Sequence, residues 1–416
     1  MADFLKTFRQ RKDSLSAQLK QKSIVDSKPV PIDIWLLVAV VGLLTIGTIE
    51  IYSSSAVFAL KKFDDATHFV KRQFFFLILG SVALWLGANT NYRWLKRYTY
   101  PLLAFTFLLL GMVLFVGVKI NGANRWFNLG LFLFQPVELA KLSLVCYLAY
   151  SLAEKQNKMR IFSIGFVPHL LVCGFMVLLI LQQPDLGTSF ILAATTLLLL
   201  FVAGTKISYI LTAVLFAAPV GYMMNIVGSP WRMKRFMAYL NPQAFSQDTA
   251  YQIIQSQIAV GSGGLHGAGL GLGRQQLGYM PDGHSDFIIA AIGEEWGFVG
   301  ILVVLALFAM IAWRGLRAAT KARDLFGSYL AYGISMGFVF QALIHMSVTF
   351  GIIPAKGLTL PFVSYGGSSL VVSMYLVGVL LSVSSRRFAR KKKRSLVNGR
   401  FAKRHRPKLV IVRETQ

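Results

Sequence analysis

The run DFIIAAIGEEWGFVGILVVLALFAMIAW, Asp286–Trp313, decides the class of this protein. Behind its leading aspartate, Glu294 and Glu295 are the only charges before Arg314. A helix needs about 20 apolar residues to cross hydrocarbon, so 287–313 reads as a transmembrane span. Nine further runs have the same character, at 32–54, 73–91, 99–119, 136–153, 162–182, 187–204, 207–227, 326–350 and 368–385. The runs are continuous and lack strand-like alternation, which favours helices over a membrane barrel. Composition agrees: 55% of the 416 residues are hydrophobic, 14% are charged and mean hydropathy is +0.58. That is too apolar for a soluble domain of this size. The expected fold is an all-α polytopic membrane protein of about ten transmembrane helices over 32–385, between basic tails at 1–31 and 386–416.

Net charge is +26, and its distribution fixes what it means. The tail from Arg386 carries thirteen Lys or Arg against Glu414 alone, and the first 31 residues carry seven against three acids. Short loops at Arg93–Arg97, Lys155–Arg160 and Arg314–Arg323 are basic too. With ten spans, both tails and these loops share one side, which the positive-inside rule makes cytoplasmic. RFARKKKRSLVNGRFAKRHRPK has no accompanying stacking or groove-reading motif, so it reads as a topology determinant touching anionic lipid rather than a nucleic-acid site. Cys146 and Cys173 fall inside spans and read as packing residues, and no zinc-ligand spacing accompanies them. The first span follows about thirty polar residues without a small-x-small cleavage site, as in an uncleaved signal-anchor. No internal repeat supports an inverted-repeat transporter.

The chemistry is expected on the other side. Its loops are Phe58–Arg72, 120–135, Gln182–Gly187, Gly228–Ser285 and Gly351–Gly367. The fourth, about sixty residues long, is too long for a mere connection, and 228–286 is the candidate catalytic loop. It delivers Asp286 to the edge of a span, where an ionisable group is costly unless solvated or paired and is by default a functional-site candidate. The same side carries Arg125, Arg232, Lys234, Arg235, Arg274 and Lys356. Cations on the disfavoured side suggest a ligand that compensates for them, and a phosphate-bearing lipid headgroup fits. The bland reading is that at least half of them are simply solvated.

Other polar positions carry competing readings. GSGGLHGAGLGLGR, Gly261–Arg274, has dinucleotide-like glycine spacings but neither a preceding strand nor a ribose-binding acid. Its glycines read as tight turns and close backbone approach, with N–H groups offered to an anion as a further possibility, and His266 as an ordinary loop residue. Glu138 and Lys141, spaced i,i+3, can pair on one helix face. Asp185 reads as a helix cap, Glu294 and Glu295 as mostly structural, His345 as a hydrogen-bonded core residue, and Gly366–Ser369 as a close-packing and capping signal.

Five ordered motifs then resemble one family. NGANRWFNLGLFLFQPVELAK (Asn121–Lys141), QQPDLGT (Gln182–Thr188), YQIIQSQIAVGSGGLHGAGLGLG (Tyr251–Gly273), MPDGHSDFIIAAIGEEWG (Met280–Gly297) and PAKGLTLPFVSYGGSSL (Pro354–Leu370) are similar to the SEDS family of bacterial cell-wall polymerases. They span roughly three quarters of the chain, and PAKGLTLP resembles the division branch more than the elongation branch. Two departures are His345, where the family pattern has Asn, and Ser285, where it has Thr. The resemblance implies an inverting peptidoglycan glycosyltransferase that polymerises lipid II at the outer face of the bacterial cytoplasmic membrane, at the division septum. It further implies Asp286 as general base, the six cations on the substrate diphosphates, and Glu138, Lys141, His284 and Ser285 in support. Mg²⁺ or Mn²⁺ could share the electrostatic work, although no ligand cluster is visible. A class B penicillin-binding protein (FtsI-like) and other division proteins are the implied partners. The competing readings are a lipid II flippase and a non-catalytic scaffold for the penicillin-binding protein. A flippase needs polar groups through the whole membrane thickness, whereas here they concentrate at the outer face.

Overall fold

The computed structural model describes residues 32–385 apart from 121, 131, 223–229, 246–249, 275–282 and 355–356, so both tails lie outside the described residues. It is helical, as expected. Among the described residues, eight helices are long and apolar enough to cross a membrane. They are α1 (Ile34–Phe63), α2 (His68–Asn89), α3 (Thr99–Val116), α4 (Pro136–Glu154), α5 (Val167–Gln182, extended by a π turn from Phe162), α10 (Ile288–Thr320), α11 (Leu325–Thr349) and α12 (Gly367–Ser385). Two shorter apolar helices, α6 (Leu186–Val202) and α7 (Ile207–Tyr222), complete the ten expected segments.

One end of the bundle is tied by ion pairs. Arg314 bonds Asp33 at 2.7 Å, Arg93 bonds Asp324 at 3.1 Å and Lys96 bonds Glu154 at 2.7 Å. The first ties α1 to α10, and the other two tie α11 and α4 to the short helix Arg93–Arg97, on the side where the sequence concentrates cations. Asp33 also caps α1, and Asp324 caps α11. Within the bundle, small residues let helices touch. A Cβ on Gly87 of α2 would lie 2.7 Å from the Tyr375 carbonyl of α12, and one on Gly378 would collide with Leu84. Cys146 and Cys173 are buried free thiols, as their positions implied.

The opposite end departs from the sequence expectation in three ways. First, α1 continues to Phe63, so the first outer loop shrinks to a turn before His68. Second, the 120–135 segment holds an antiparallel sheet, β1 (Val118–Ile120), β2 (Ala123–Asn128) and β3 (Leu133–Phe134), in the order β1-β2-β3. Third, the long loop contains α8 (Pro230–Leu240) and α9 (Tyr251–Gly263). Helix α9 lies along α10: Ala259 packs with Phe287 and Ala290, while Ser256 donates to the Thr349 carbonyl at 2.9 Å.

Helix α10 is broken at Gly297, whose φ of 68° is left-handed. The break leaves two helix carbonyls and two helix N–H groups without their usual i→i−4 partners. The glycine-rich run supplies all four. Ala268 and Gly269 donate to the carbonyls of Glu294 and Glu295, while Phe298 and Val299 donate to the carbonyls of Gly264 and Leu265. In a membrane protein such groups must be satisfied internally. The approach is so close that a Cβ on Gly263 would strike the Gly293 carbonyl, and one on Gly267 would strike that of Glu295. The glycines therefore serve backbone-to-backbone packing. The N–H groups of Ala268, Gly269 and Gly271 are taken up by α10.

Candidate functional site

Asp286 is half-buried, one residue before Phe287 caps α10. The segment before it is held from the last outer loop. Tyr365 donates its N–H to the His284 carbonyl at 3.1 Å. Ser364 donates its hydroxyl to the Ser285 carbonyl at 2.6 Å and accepts from the Leu360 N–H at 2.8 Å. His345, buried in α11, meets the backbone of Ser285 from another side. The last loop, with α11 behind it, thus holds the backbone that carries the acid, which preorganises its carboxylate.

The acid faces the last loop as well. A Cβ on Gly357 would sit 3.1 Å from Asp286 Oδ2, so glycine lets that loop close over the carboxylate. Two arginines complete the described site. Arg235, on α8, is held below the usual guanidinium range by burial and by the Arg125 charge, with Asp286 opposing the shift. One carboxylate and two guanidiniums from three separate elements therefore share one electrostatic environment. Arg125, on β2, donates from Nε to the Gln183 carbonyl and from Nη2 to the Pro184 carbonyl, both at 2.7 Å. These carbonyls end α5, where a cation is favoured. Part of Arg125 therefore anchors the sheet to the QQPDLGT turn, in which Asp185 caps α6 through the Thr188 N–H.

The other expected residues fall elsewhere. Lys234 is an exposed neighbour of Arg235 on α8, while the side chain of Arg232 and all of Lys356 lie outside the described residues. Arg274 is exposed and stands apart: its N–H bonds Glu294 at 2.7 Å, eight residues beyond Asp286 and about 12 Å along a helix. Glu138 and Lys141 do pair, at 2.8 Å and nearly buried. Their role is indirect. Lys141 also donates to Gln341 at 3.0 Å, and Gln341 donates to the Thr359 carbonyl at 2.7 Å, so the pair supports the last loop from inside the bundle. A small cavity of about 30 Å³ lies against Glu138, Lys141, Gln341 and Thr195. The His284 ring packs 4.6 Å from Phe69 and 5.8 Å from Tyr365.

Sequence reasoning passed over several buried polar groups. Glu50 is fully buried in α1, beside Trp296 and Glu295, and Ser53 donates to Glu295 at 2.5 Å. Gln73 is buried in α2. A lone acid inside the apolar run of α1 is a readable signal. Glu294 and Glu295 are structural, as expected: their carboxylates accept the N–H groups of Arg274 and Gly271. Among the described residues, no group of three or more His, Cys, Asp or Glu side chains is placed to hold a metal ion.

A polytopic helical bundle with one supported carboxylate and neighbouring guanidiniums at one end defines a membrane-embedded protein with a polar, charged site. Residues 34–389 match the cell cycle protein family of FtsW, RodA and SpoVE, and the chain belongs to that family. It is 43% identical over 356 residues to the probable peptidoglycan glycosyltransferase FtsW of Trichlorobacter lovleyi, covering 85% of this chain and 93% of that one. It is 42% identical over 354 residues to the stage V sporulation protein E of Bacillus subtilis, covering 85% and 96%. Among solved structures it resembles a chain of a peptidoglycan synthase complex that coordinates polymerization and crosslinking. The TM-score there is 0.72, with 29% identity over 86% of this chain and 98% of that one. RodA of Thermus thermophilus, a rod shape determining protein, matches with a TM-score of 0.65 and 29% identity, again over 86% and 98%.

Proposed function

We propose that this peptidoglycan glycosyltransferase polymerises lipid II at the outer face of the cytoplasmic membrane during septal wall synthesis, with Asp286 as its general base. The observation that carries the reading is Asp286 at the mouth of α10, its backbone held by the last loop and its carboxylate facing Gly357, with Arg235 near enough to feel its charge. The 4-hydroxyl of the acceptor sugar attacks the anomeric carbon of the donor. A new C–O bond forms as the bond to undecaprenyl diphosphate breaks. Asp286 takes the hydroxyl proton, and the diphosphate departs with the electron pair. Attack from the face opposite the leaving group turns an α-linked donor into a β-linked product.

The residue inventory suits this step. An alcohol nucleophile benefits from a base within hydrogen-bond reach. A diphosphate leaves as an anion and needs positive charge more than a proton, so one carboxylate suffices where glycosidases use two. Arg235 and Arg125 supply that charge by electrostatic stabilisation, with Arg232, Lys234, Arg274 and Lys356 as further candidates along the lipid's path. Asp286 offers a single carboxylate, so Mg²⁺ or Mn²⁺ would take most of its oxygen ligands from the diphosphates and water. The basic tails support a cytoplasmic position for both termini. Likeness to a chain of a peptidoglycan synthase complex supports a class B penicillin-binding protein as partner.

The test is strand synthesis from purified lipid II by the full chain, with and without the partner, crosslinking blocked. Glycan polymer is expected. Lipid II translocation in proteoliposomes without any polymer, with the partner present, would replace this reading with the flippase.

A further inference from the structure

The outer ends of α1 and α2 carry a set of aromatic rings that the reaction above leaves unused. It begins at the site. His284, two residues before Asp286, packs against Phe69 at 4.6 Å and stacks on Phe58 at 6.2 Å. Phe69 in turn meets Phe58 at 6.1 Å and Phe63 at 5.9 Å, and Phe63 stacks on His68 at 4.0 Å with planes 7° apart. The set ends in the open: Phe58 and Phe63 are each 42% exposed. Lys62 lies 5.3 Å over the Phe58 ring and 5.6 Å over Phe63, and Lys61 is exposed beside it.

Lipid tails do not account for this exposure. Taking the Asp33–Arg314 pair as the inner edge of the hydrocarbon, Phe58 is 25 residues and Phe63 is 30 residues further along α1. At 1.5 Å per residue they stand about 37 and 45 Å from that edge. The hydrocarbon is about 30 Å thick, so even with a typical tilt of about 20° both rings lie beyond it. Exposed phenylalanines above the apolar layer, joined ring to ring with the site, suit a ligand that stacks.

The ledge is also rigid. Asp64 takes a left-handed conformation at the end of α1. Asp65 accepts from the Thr67 N–H and hydroxyl and pairs with Lys71 at 2.8 Å. The Lys71 bond, then those from Thr67, hold the Asp65 carboxyl well below the usual range, so the clip stays ionised into mildly acidic solution. Arg72 stands beside the Tyr365 hydroxyl at the inner end of the row. Rings held in place lose little freedom on binding.

We propose that Phe58 and Phe63 form a carbohydrate subsite that takes the sugar rings of the glycan strand as it leaves Asp286. Pyranose rings with equatorial substituents present flat C–H faces that pack on aromatic faces while their hydroxyls stay in water. Lys61 and Lys62 match the carboxylates of the peptide stems that such a strand carries. This inference rests on the polymerase reading.

Two readouts on the full chain with its partner test it. The first is binding of a soluble, lipid-free oligomer of the disaccharide-peptide. The second is the length distribution of strands made from lipid II, set against the initial rate. Phe58→Ala with Phe63→Ala is expected to weaken oligomer binding about tenfold, the order two aromatic contacts carry. Strands should shorten several-fold while the initial rate stays within twofold. Trp at both positions should restore both properties, which separates stacking from a folding defect. Unchanged binding and unchanged length in the folded double variant would overturn the proposal, as would shortening merely proportional to a slower initial rate. Loss of partner association with oligomer binding intact would overturn it too, in favour of a protein contact. If wild type makes no strands, the polymerase reading fails, and the oligomer measurement still decides whether the ledge binds sugar.

Discussion

Three carboxylates within ten residues of one helix have opposite fates. Glu294 and Glu295 are buried; Glu294 Oε1 accepts from the Arg274 N–H, and Glu295 Oε1 accepts from the Gly271 N–H and the Ser53 hydroxyl. Asp286 is half-exposed, with its backbone clamped by the last loop and Arg235 within electrostatic reach. The difference shows how this fold divides its acids. Those beside the kink at Gly297 hold a loop in place, and the one at the helix mouth is presented to a ligand.

The contrast predicts that substitutions separate cleanly into two kinds. Asp286→Ala should lower strand synthesis by about 10²–10⁴-fold, the range of a lost general base, with thermal stability in detergent essentially unchanged. A melting temperature that fell along with activity would erase the contrast. Gly297→Ala should do the reverse. It forces alanine into a left-handed conformation and against the Gly267 N–H and Leu265 carbonyl. Strain and disturbed hydrogen bonds together should cost about 3 kcal/mol, read as a lowered unfolding temperature whether or not substrate is present.

Arg235→Ala sharpens the outer half of the comparison. It should weaken lipid II use by about 10–100-fold, as expected for a partly buried charge that meets phosphate, with the larger change in apparent KM. A pure loss of stability would move Arg235 to the structural group. The smallest effect belongs to Glu295→Gln. The amide keeps an acceptor for Gly271 and Ser53, so unfolding should shift by less than about 1 kcal/mol and polymerisation should stay near wild type. A large catalytic loss there would show that the buried acids take part in the reaction.

The helices were legible because apolar runs of membrane length admit few alternatives, and Asp286 stood out as a candidate because a carboxylate at a span boundary is anomalous. Other features were hidden for physical reasons. The sheet at 118–134 is built from strands of three, six and two residues, too short for alternation to register. Helix α9, YQIIQSQIAVGSG, is half polar and ends in glycine, and what holds it is contact with α10 and α11 rather than propensity. The glycine-rich run was read correctly as a place of close approach, but its partner was not visible. Gly263 and Gly267 meet the carbonyls of Gly293 and Glu295, some thirty residues away, beside the broken backbone at Gly297. Arg125 and Arg235 stood out as cations on the wrong side of the membrane, yet only the fold shows that they share one environment with Asp286 and that Arg274 stands apart. Glu50 could have been noticed. The aromatic ledge could not, since it joins α1, α2 and two distant loops.

The most direct test of the central claim compares lipid II binding with strand synthesis for wild type and Asp286→Asn, each with the partner whose crosslinking is blocked. The amide preserves shape and removes the base. The account predicts lipid II affinity within a few-fold of wild type and no detectable polymer. Polymer at wild-type rates from the folded variant would contradict it and place the base elsewhere.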